Sequence, residues 1–333
     1  MNICDRKNYR HQLIYLQLGF SILLGILSFG VIAAEKYPSK PVRIVVGFAA
    51  AGPVDNLSRI IARRLSARLE QQFVVDNRPG ASSMIGAQMV ASSEPDGYTL
   101  LMVASTHAIN PSLYKKIAFN TEKDFTPISL IAENPFVLVV PSKLKVSTLA
   151  DLISLARSDA KPINYASAGI GGLPHLSAEL FKLEAGIEAN HIPYKGAAPA
   201  SVDLLAGHVS FMINNMQSAL PYIKDGRLRA LAVTSPERVS SIPNVPTFKE
   251  IGYKGLQISG WYGLLAPAGL PLEMVQLLNR QVQLILKEKE VIAEIKSDGA
   301  EVIMSNPKEF SDRIRDDMIK WSAIIKSAGI SQQ

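Results

Sequence analysis

The chain has 333 residues, 47% apolar and 19% charged, enough to bury a large core and in the size range where a chain splits into two lobes; disordered and fibrous classes are excluded. With 22 glycines and 20 prolines it is neither collagen-like nor of low complexity. The net charge is only +6, part of it from Arg6, Lys7 and Arg10 against Asp5, and no basic run exceeds Arg63-Arg64 or Lys115-Lys116, so no nucleic-acid partner is expected.

Residues 1–34 read as an export signal: a basic start, an apolar stretch from Leu13 to Ile32 broken only by Gln17 and small residues, then Ala33-Ala34 for cleavage. The stretch is long for a signal core, and an uncleaved anchor is the alternative. Cys4 is the one cysteine and lies in that segment, so the exported chain has no thiol. Disulfides, thiolate zinc sites and a cysteine nucleophile are thereby excluded together.

From Pro41 onward short β-branched runs alternate with helical patterns. Val42 to Phe48 predicts a strand, Ala49 to Gly52 a turn, and Leu57, Ile60, Ile61, Leu65 and Leu69 one face of a helix. Phe73 to Asp76, a turn at Asn77 to Ser83 and a helix at Met84 to Ala91 repeat the plan, and Tyr98 to Ala104 is the next strand. Further strands are predicted at Phe136 to Val140, Ile163 to Ala166, Ala189 to Ile192, Val209 to Ile213, Leu228 to Val233 and Leu256 to Gly260. Ser147 is the expected cap of a helix Leu149 to Arg157, Pro174 opens one ending near Gly186, and Asn306-Pro307-Lys308-Glu309 carries an N-cap, a first-turn proline and a capping glutamate. The alternation predicts an α/β fold of mostly parallel sheets flanked by helices. Phe136 to Pro141 and Leu256 to Ala266 are the apolar extended stretches able to cross between two lobes.

Loops that leave a strand and open a helix present unpaired N–H groups and a partial positive charge, and so bind anions. Three have the small residues this needs: Ala49-Ala50-Ala51-Gly52-Pro53, Arg78 to Ser83 and Ser167 to Gly172. Asp55, in the first turn of its helix, reads as a cap or a partner for a ligand's amino or hydroxyl group, and His175 as a ligand donor or a support for its own loop. Phe48 reads as a cleft wall; Trp261 and Tyr262 fit hinge packing or a cleft wall equally. Gly169-Ile170-Gly171 fails the dinucleotide fingerprint, because Pro174 stands where its last glycine belongs. No G-x-S-x-G elbow surrounds any serine and no short histidine pair occurs, so neither catalytic residues nor a metal are expected.

An ordered series of short motifs carries a resemblance: Tyr37-Pro38-Ser39-Lys40-Pro41-Val42-Arg43, Asn77-Arg78-Pro79-Gly80-Ala81, Pro95-Asp96-Gly97-Tyr98, Asn110-Pro111-Ser112-Leu113-Tyr114, Asp124-Phe125-Thr126-Pro127, His191-Ile192-Pro193-Tyr194, Leu228 to Val233 and Val245-Pro246-Thr247. The chain resembles the Bug family of periplasmic solute-binding receptors of the tripartite tricarboxylate transporter type. The resemblance implies a type II two-lobe periplasmic binding protein fold, with lobe 1 at 35–138 and 259–333 (C-terminal helices) and lobe 2 at 139–258. It implies capture of a small carboxylated solute in the periplasm and delivery to a two-component inner-membrane permease, by a monomer with no cofactor and no enzymatic activity. A sensory or partner-binding ectodomain, or a hydrolase on the same scaffold, is the alternative.

The ligand contacts so implied are Phe48, Ala50, Ala51, Gly52, Asp55, Asn77, Gly80, Ser82, Ser83, Ser105 and Thr106 on lobe 1. On lobe 2 they are Ser167, Ala168, Gly169, Gly171, His175, Tyr194, Gly196 and Asn214. The chain departs from the family pattern in reading Ala51-Gly52 for a glycine pair, Ser82-Ser83 for two glycines and Asn214 for an acidic residue. The neutral amide at 214 suits a plain mono- or dicarboxylate better than an amino acid.

Overall fold

In the computed structural model, which describes residues 37–158, 162–194 and 196–330, the β-branched runs form strands and the amphipathic stretches form helices. The chain runs β1 (Val42–Val46), α1 (Pro53–Leu69), β2 (Phe73–Asn77), α2 (Met84–Ala91), β3 (Thr99–Ala104) and α3 (Thr106–Leu113). Next come β4 (Phe125–Pro141), α4 (Leu149–Ser158), β5 (Ile163–Ser167), α5 (Leu173–Ala185), β6 (Ala189–Pro193), α6 (Ala197–Ala206), β7 (Phe211–Asn215), α7 (Met216–Lys224) and β8 (Leu228–Val233). It returns through β9 (Ser259–Pro267), α8 (Leu272–Ile285), α9 (Lys289–Ser297) and β10 (Glu301–Val302) to α10 (Pro307–Ser327). The expected export signal lies outside the described residues.

Two sheets share β4. The order β2-β1-β3-β9-β4 builds the first, with β10 also on β4; β4-β7-β5-β6 builds the second, with β8 on β4. β4 changes partner in mid-strand: Phe125 to Pro135 pair with β9, and Phe136 to Val139 with β7. The return passage is equally abrupt, since Ile258 donates its N–H to the Thr234 carbonyl of the second lobe (3.0 Å) and Ser259 opens β9 in the first.

The sheets are mixed where mostly parallel ones were expected. β1–β2, β1–β3, β5–β6 and β5–β7 are parallel, whereas β3–β9 and every pairing of β4 are antiparallel. Strands that pass between lobes must enter each sheet against the direction of its βα units. The first half of β4, Phe125 to Pro135, was not predicted as a strand, and it contains Pro127 and Pro135. Register shifts between Pro127 and Ser129 and between Leu130 and Ala132 accommodate it.

Side-chain alternation along β4 serves both faces of the second sheet. Phe136, Leu138 and Val140 join one core with Leu152, Leu176 and Phe181, while Val137 and Val139 join another with Leu204, Met212 and Met216. A third core fills the first lobe around Val45, Leu101, Leu130, Trp261 and Phe310. Trp261, fully buried, is edge-on to Phe310 at 5.4 Å and donates from Nε1 to Asp317 Oδ2 at 2.6 Å, which settles it as hinge packing. Arg313 of α10 ties both passages together: Nη1 meets Glu133 Oε1 (2.7 Å), Nη2 reaches the Ser259 carbonyl (3.4 Å) and Nε meets Asp317 Oδ2 (3.3 Å).

The Asn306–Glu309 capping box opens α10. The expected cap Ser147 is replaced by Thr148, whose Oγ1 accepts the Asp151 N–H at 3.1 Å while the Asp151 carboxylate accepts both preceding N–H groups.

Candidate functional site

Among the described residues, five non-glycine residues have left-handed backbone, and four of them sit in the two lobe-1 loops predicted to bind anions: Ala51 (φ 63°), Ala81 (44°), Ser82 (51°) and Ser83 (72°). With Gly80 at φ 133°, the second loop is an unbroken left-handed run of four residues. Each L residue so placed costs about 1–2 kcal/mol, and such strain concentrates at functional sites. Successive N–H groups in a turn of this kind form a concave anion cradle. The neighbouring α3 holds the run in place: Asn110 Nδ2 donates to the Ser82 carbonyl at 2.9 Å, and Ser82 Oγ is 2.7 Å from the Tyr114 hydroxyl.

The first loop is stapled from below by Asp55, which is 1% exposed. Its carboxylate accepts the Ala51 N–H (2.8 Å), Arg59 Nε (2.9 Å) and Asn77 Nδ2 (2.9 Å), and Asn77 Nδ2 also reaches the Phe48 carbonyl (3.1 Å). Burial acts to raise the Asp55 pKa, but these bonds together with the Arg59 charge outweigh it and hold the carboxyl below its ordinary value. Asp55 and Asn77 therefore shape the loop, as partly anticipated for Asp55. Ala50, Ala51 and Gly80 to Ser82 lie at the surface, with Phe48 and Gly52 half-buried and Ser83 buried behind them. Ser105 donates its N–H to Trp261 O at 3.0 Å, which leaves Thr106 to open α3.

The second lobe spends most of its predicted donors on itself. Ser167 Oγ donates to Gly169 O (2.9 Å), accepts Gly169 N–H (3.2 Å) and lies 2.6 Å from His191 Nε2. Gly171 N–H donates to His175 Nδ1 (3.0 Å), Gly196 N–H to Ala168 O (3.1 Å) and Tyr194 OH to Asp203 Oδ2 (2.5 Å). Asn214 is buried, its Nδ2 on Ser201 Oγ (3.4 Å) and its Oδ1 on Asn215 N–H (2.9 Å). Ser167, Gly169, Gly171, His175, Tyr194, Gly196 and Asn214 thus use these groups to brace the loops.

Beneath the loop the rings stack, His175 on His191 at 3.9 Å and His191 on Tyr165 at 4.9 Å. Burial, with the adjoining His191 and Lys182, pushes His175 down to about 3, and burial takes His191 to about 4 against the pull of Glu179. Both rings are therefore neutral at physiological pH, which is what lets His175 Nδ1 act as an acceptor.

Between the lobes, α3 and Ser82 face the 168–175 loop across a cavity of about 210 Å³. The lobes meet closely at its edge: a Cβ on Gly171 would fall 2.7 Å from Leu113 Cδ1. Of the predicted residues, Ser82, Thr106, Ala168, Gly169, Gly171 and His175 line it. Ile170, Gly172 and Pro174 of the 168–175 loop also line it, as do Ile109, Asn110, Leu113 and Tyr114, which were missed although the Asn110 to Tyr114 motif was visible in the sequence. The buried Thr106 Oγ1 has no hydrogen-bond partner.

The sequence profile of the tripartite tricarboxylate transporter family receptor matches residues 57–330. The chain belongs to this family. It is similar to Protein BugT of Bordetella pertussis, 37% identical over 300 residues that cover 90% of this chain and 92% of BugT. Among solved structures it is similar to R. palustris Rpa4515 with adipate, at 36% identity and a TM-score of 0.76 over 89% of this chain and all of the other. It is also similar to MatC from Rhodopseudomonas palustris with bound malate, at 30% identity and a TM-score of 0.71 over 87% of this chain and all of that one. The Bug-type receptor family is one of periplasmic solute-binding proteins and not of enzymes, and the two-lobe α/β fold is shared.

Proposed function

We propose that this receptor captures a small carboxylated metabolite between its lobes (35–138 with 259–333, and 139–258) and presents the closed form to a two-component permease in the inner membrane, after export by the segment 1–34. The observation that carries this reading is the left-handed run Gly80–Ser83, a strained backbone cradle braced by Asn110 and Tyr114 at the mouth of the inter-lobe cavity. The solute carboxylate sits on the N–H groups of this run and of Ala50 and Gly52 beside it, and the 168–175 loop closes over the remainder. A ligand that touches both lobes stabilises the closed form by its differential affinity. The relatives solved with adipate and malate support the carboxylate class.

A thermal-shift panel of organic acids and amino acids tests it. At a concentration about 100 times Kd, a true ligand adds about 2.7 kcal/mol of stability and raises the melting temperature. Gly80→Asp, which adds a negative charge beside the run, is expected to abolish that rise, with Gly80→Ala as the control for backbone strain and for the contact a Cβ makes with Ile85. A panel in which no acid raises the melting temperature, or unchanged affinity in Gly80→Asp, refutes the assignment.

A further inference from the structure

The inter-lobe cavity has a chemistry of its own. Its apolar lining comes from both lobes, Ile109 and Leu113 of α3 facing Ile170 and Pro174 of the opposite loop. Among the described residues, no Lys, Arg, Asp or Glu lines it. The one ionisable imidazole there, His175, uses Nδ1 as the acceptor for Gly171 N–H and lies face to face with His191, so it offers no cation. The hydroxyls of Ser82 and Tyr114 are bonded to each other, and Asn110 Nδ2 is committed to the Ser82 carbonyl. Thr106 Oγ1 is the buried side-chain polar atom of the lining left without a partner.

A second carboxylate in this space meets no cationic side chain among the described residues, and the N–H groups of Gly169 and Gly171 are already donated to Ser167 and His175. The cavity volume of about 210 Å³ corresponds to about seven groups of water size at ~30 Å³ each. That is room for a short carbon chain. Resting on the carboxylate reading above, we infer that the solute is an aliphatic monocarboxylate, its single charge on the lobe-1 loops and its uncharged tail in the cavity formed by Ile109, Leu113, Ile170 and Pro174. This receptor then differs from its adipate-bound relative in rejecting a second carboxylate.

Titration calorimetry with the full-length receptor against butyrate, pentanoate, hexanoate and adipate tests the inference. Affinity should rise about fourfold per added methylene, the equivalent of ~0.8 kcal/mol per buried CH₂. Hexanoate should bind at least about tenfold tighter than adipate, which carries a second carboxylate in place of hexanoate's terminal methyl. Ile170→Lys, at a position 54% exposed and so tolerant of change, should narrow or invert that ratio by supplying the missing cation. Adipate binding as tightly as hexanoate, or no dependence on chain length, overturns the inference and leaves the carboxylate reading standing. Binding of none of the four acids, together with a silent panel of organic acids, brings down both.

Discussion

Lowering the pH from about 7.5 to about 5 should cost the folded protein about 2 kcal/mol through His107 alone. This residue of α3 is 2% exposed, stacked on Phe119 at 5.9 Å and edge-on to Phe125 at 4.9 Å, and its Nε2 has no partner. Burial pushes its pKa down to about 4, opposed only by a bond to the Thr121 backbone. An unfolded chain takes up the proton near pH 6.5, so between there and about 4 the unfolded state binds a proton that the native state refuses. Stability is therefore complete above pH 6.5 and falls with decreasing pH, by about 1.4 kcal/mol per unit, until the folded ring also titrates. Out of a total of roughly 5–15 kcal/mol this is a large share. Urea unfolding followed by tryptophan fluorescence at several pH values measures it. His107→Phe keeps an aromatic ring between Phe119 and Phe125 and should flatten the acid limb by about 2 kcal/mol. The stacked pair His175 and His191 adds a loss of the same sign in both proteins. Parallel pH profiles for wild type and variant would refute the buried, neutral imidazole.

Ala81→Gly should raise stability by about 0.5–1 kcal/mol, since relief of the left-handed penalty exceeds glycine's extra unfolded-state entropy; a lower melting temperature would show the loop to be unstrained. Arg313→Ala should destabilise by roughly 2–3 kcal/mol, because it strands Glu133 and Asp317 at the hinge with only partial access to water, and urea unfolding would detect it. Thr106→Val removes an unpaired buried hydroxyl, so it should leave the melting temperature unchanged or slightly higher. If the solute supplies the missing partner, the same change weakens binding about fivefold to tenfold by calorimetry.

Much of the scaffold was legible in the sequence because its signals are local. Pro53, Pro174 and Pro307 mark first turns, Gly186 closes α5 in left-handed backbone, and the three small-residue loops stand where strands hand over to helices. What was not legible depends on contacts distant in sequence. Nothing in Pro127 or Pro135 announces a strand, because what makes them one is pairing with β9 more than a hundred residues later. The loops on lobe 2 were read as offering donors outward, yet which way an N–H points is decided by the acceptor behind it, and His175 and Ala168 were in reach of Gly171 and Gly196. Asn110 and Tyr114 were visible as a motif, but their work on Ser82 appears only once α3 is placed beside the second loop.

The two lobes reach a rigid cleft by opposite means. On lobe 1 the backbone is strained, and two serines occupy conformations that glycine takes without cost; Asn110 and Tyr114 hold it there from one side and Asp55 stabilises the adjoining loop from the other. On lobe 2 the backbone is relaxed by hydrogen bonds to neutral imidazole and serine, and the stack of His175, His191 and Tyr165 makes the support stiff. In both cases the cost of ordering the loops is met during folding, so on the function proposed above a solute loses little to loop immobilisation.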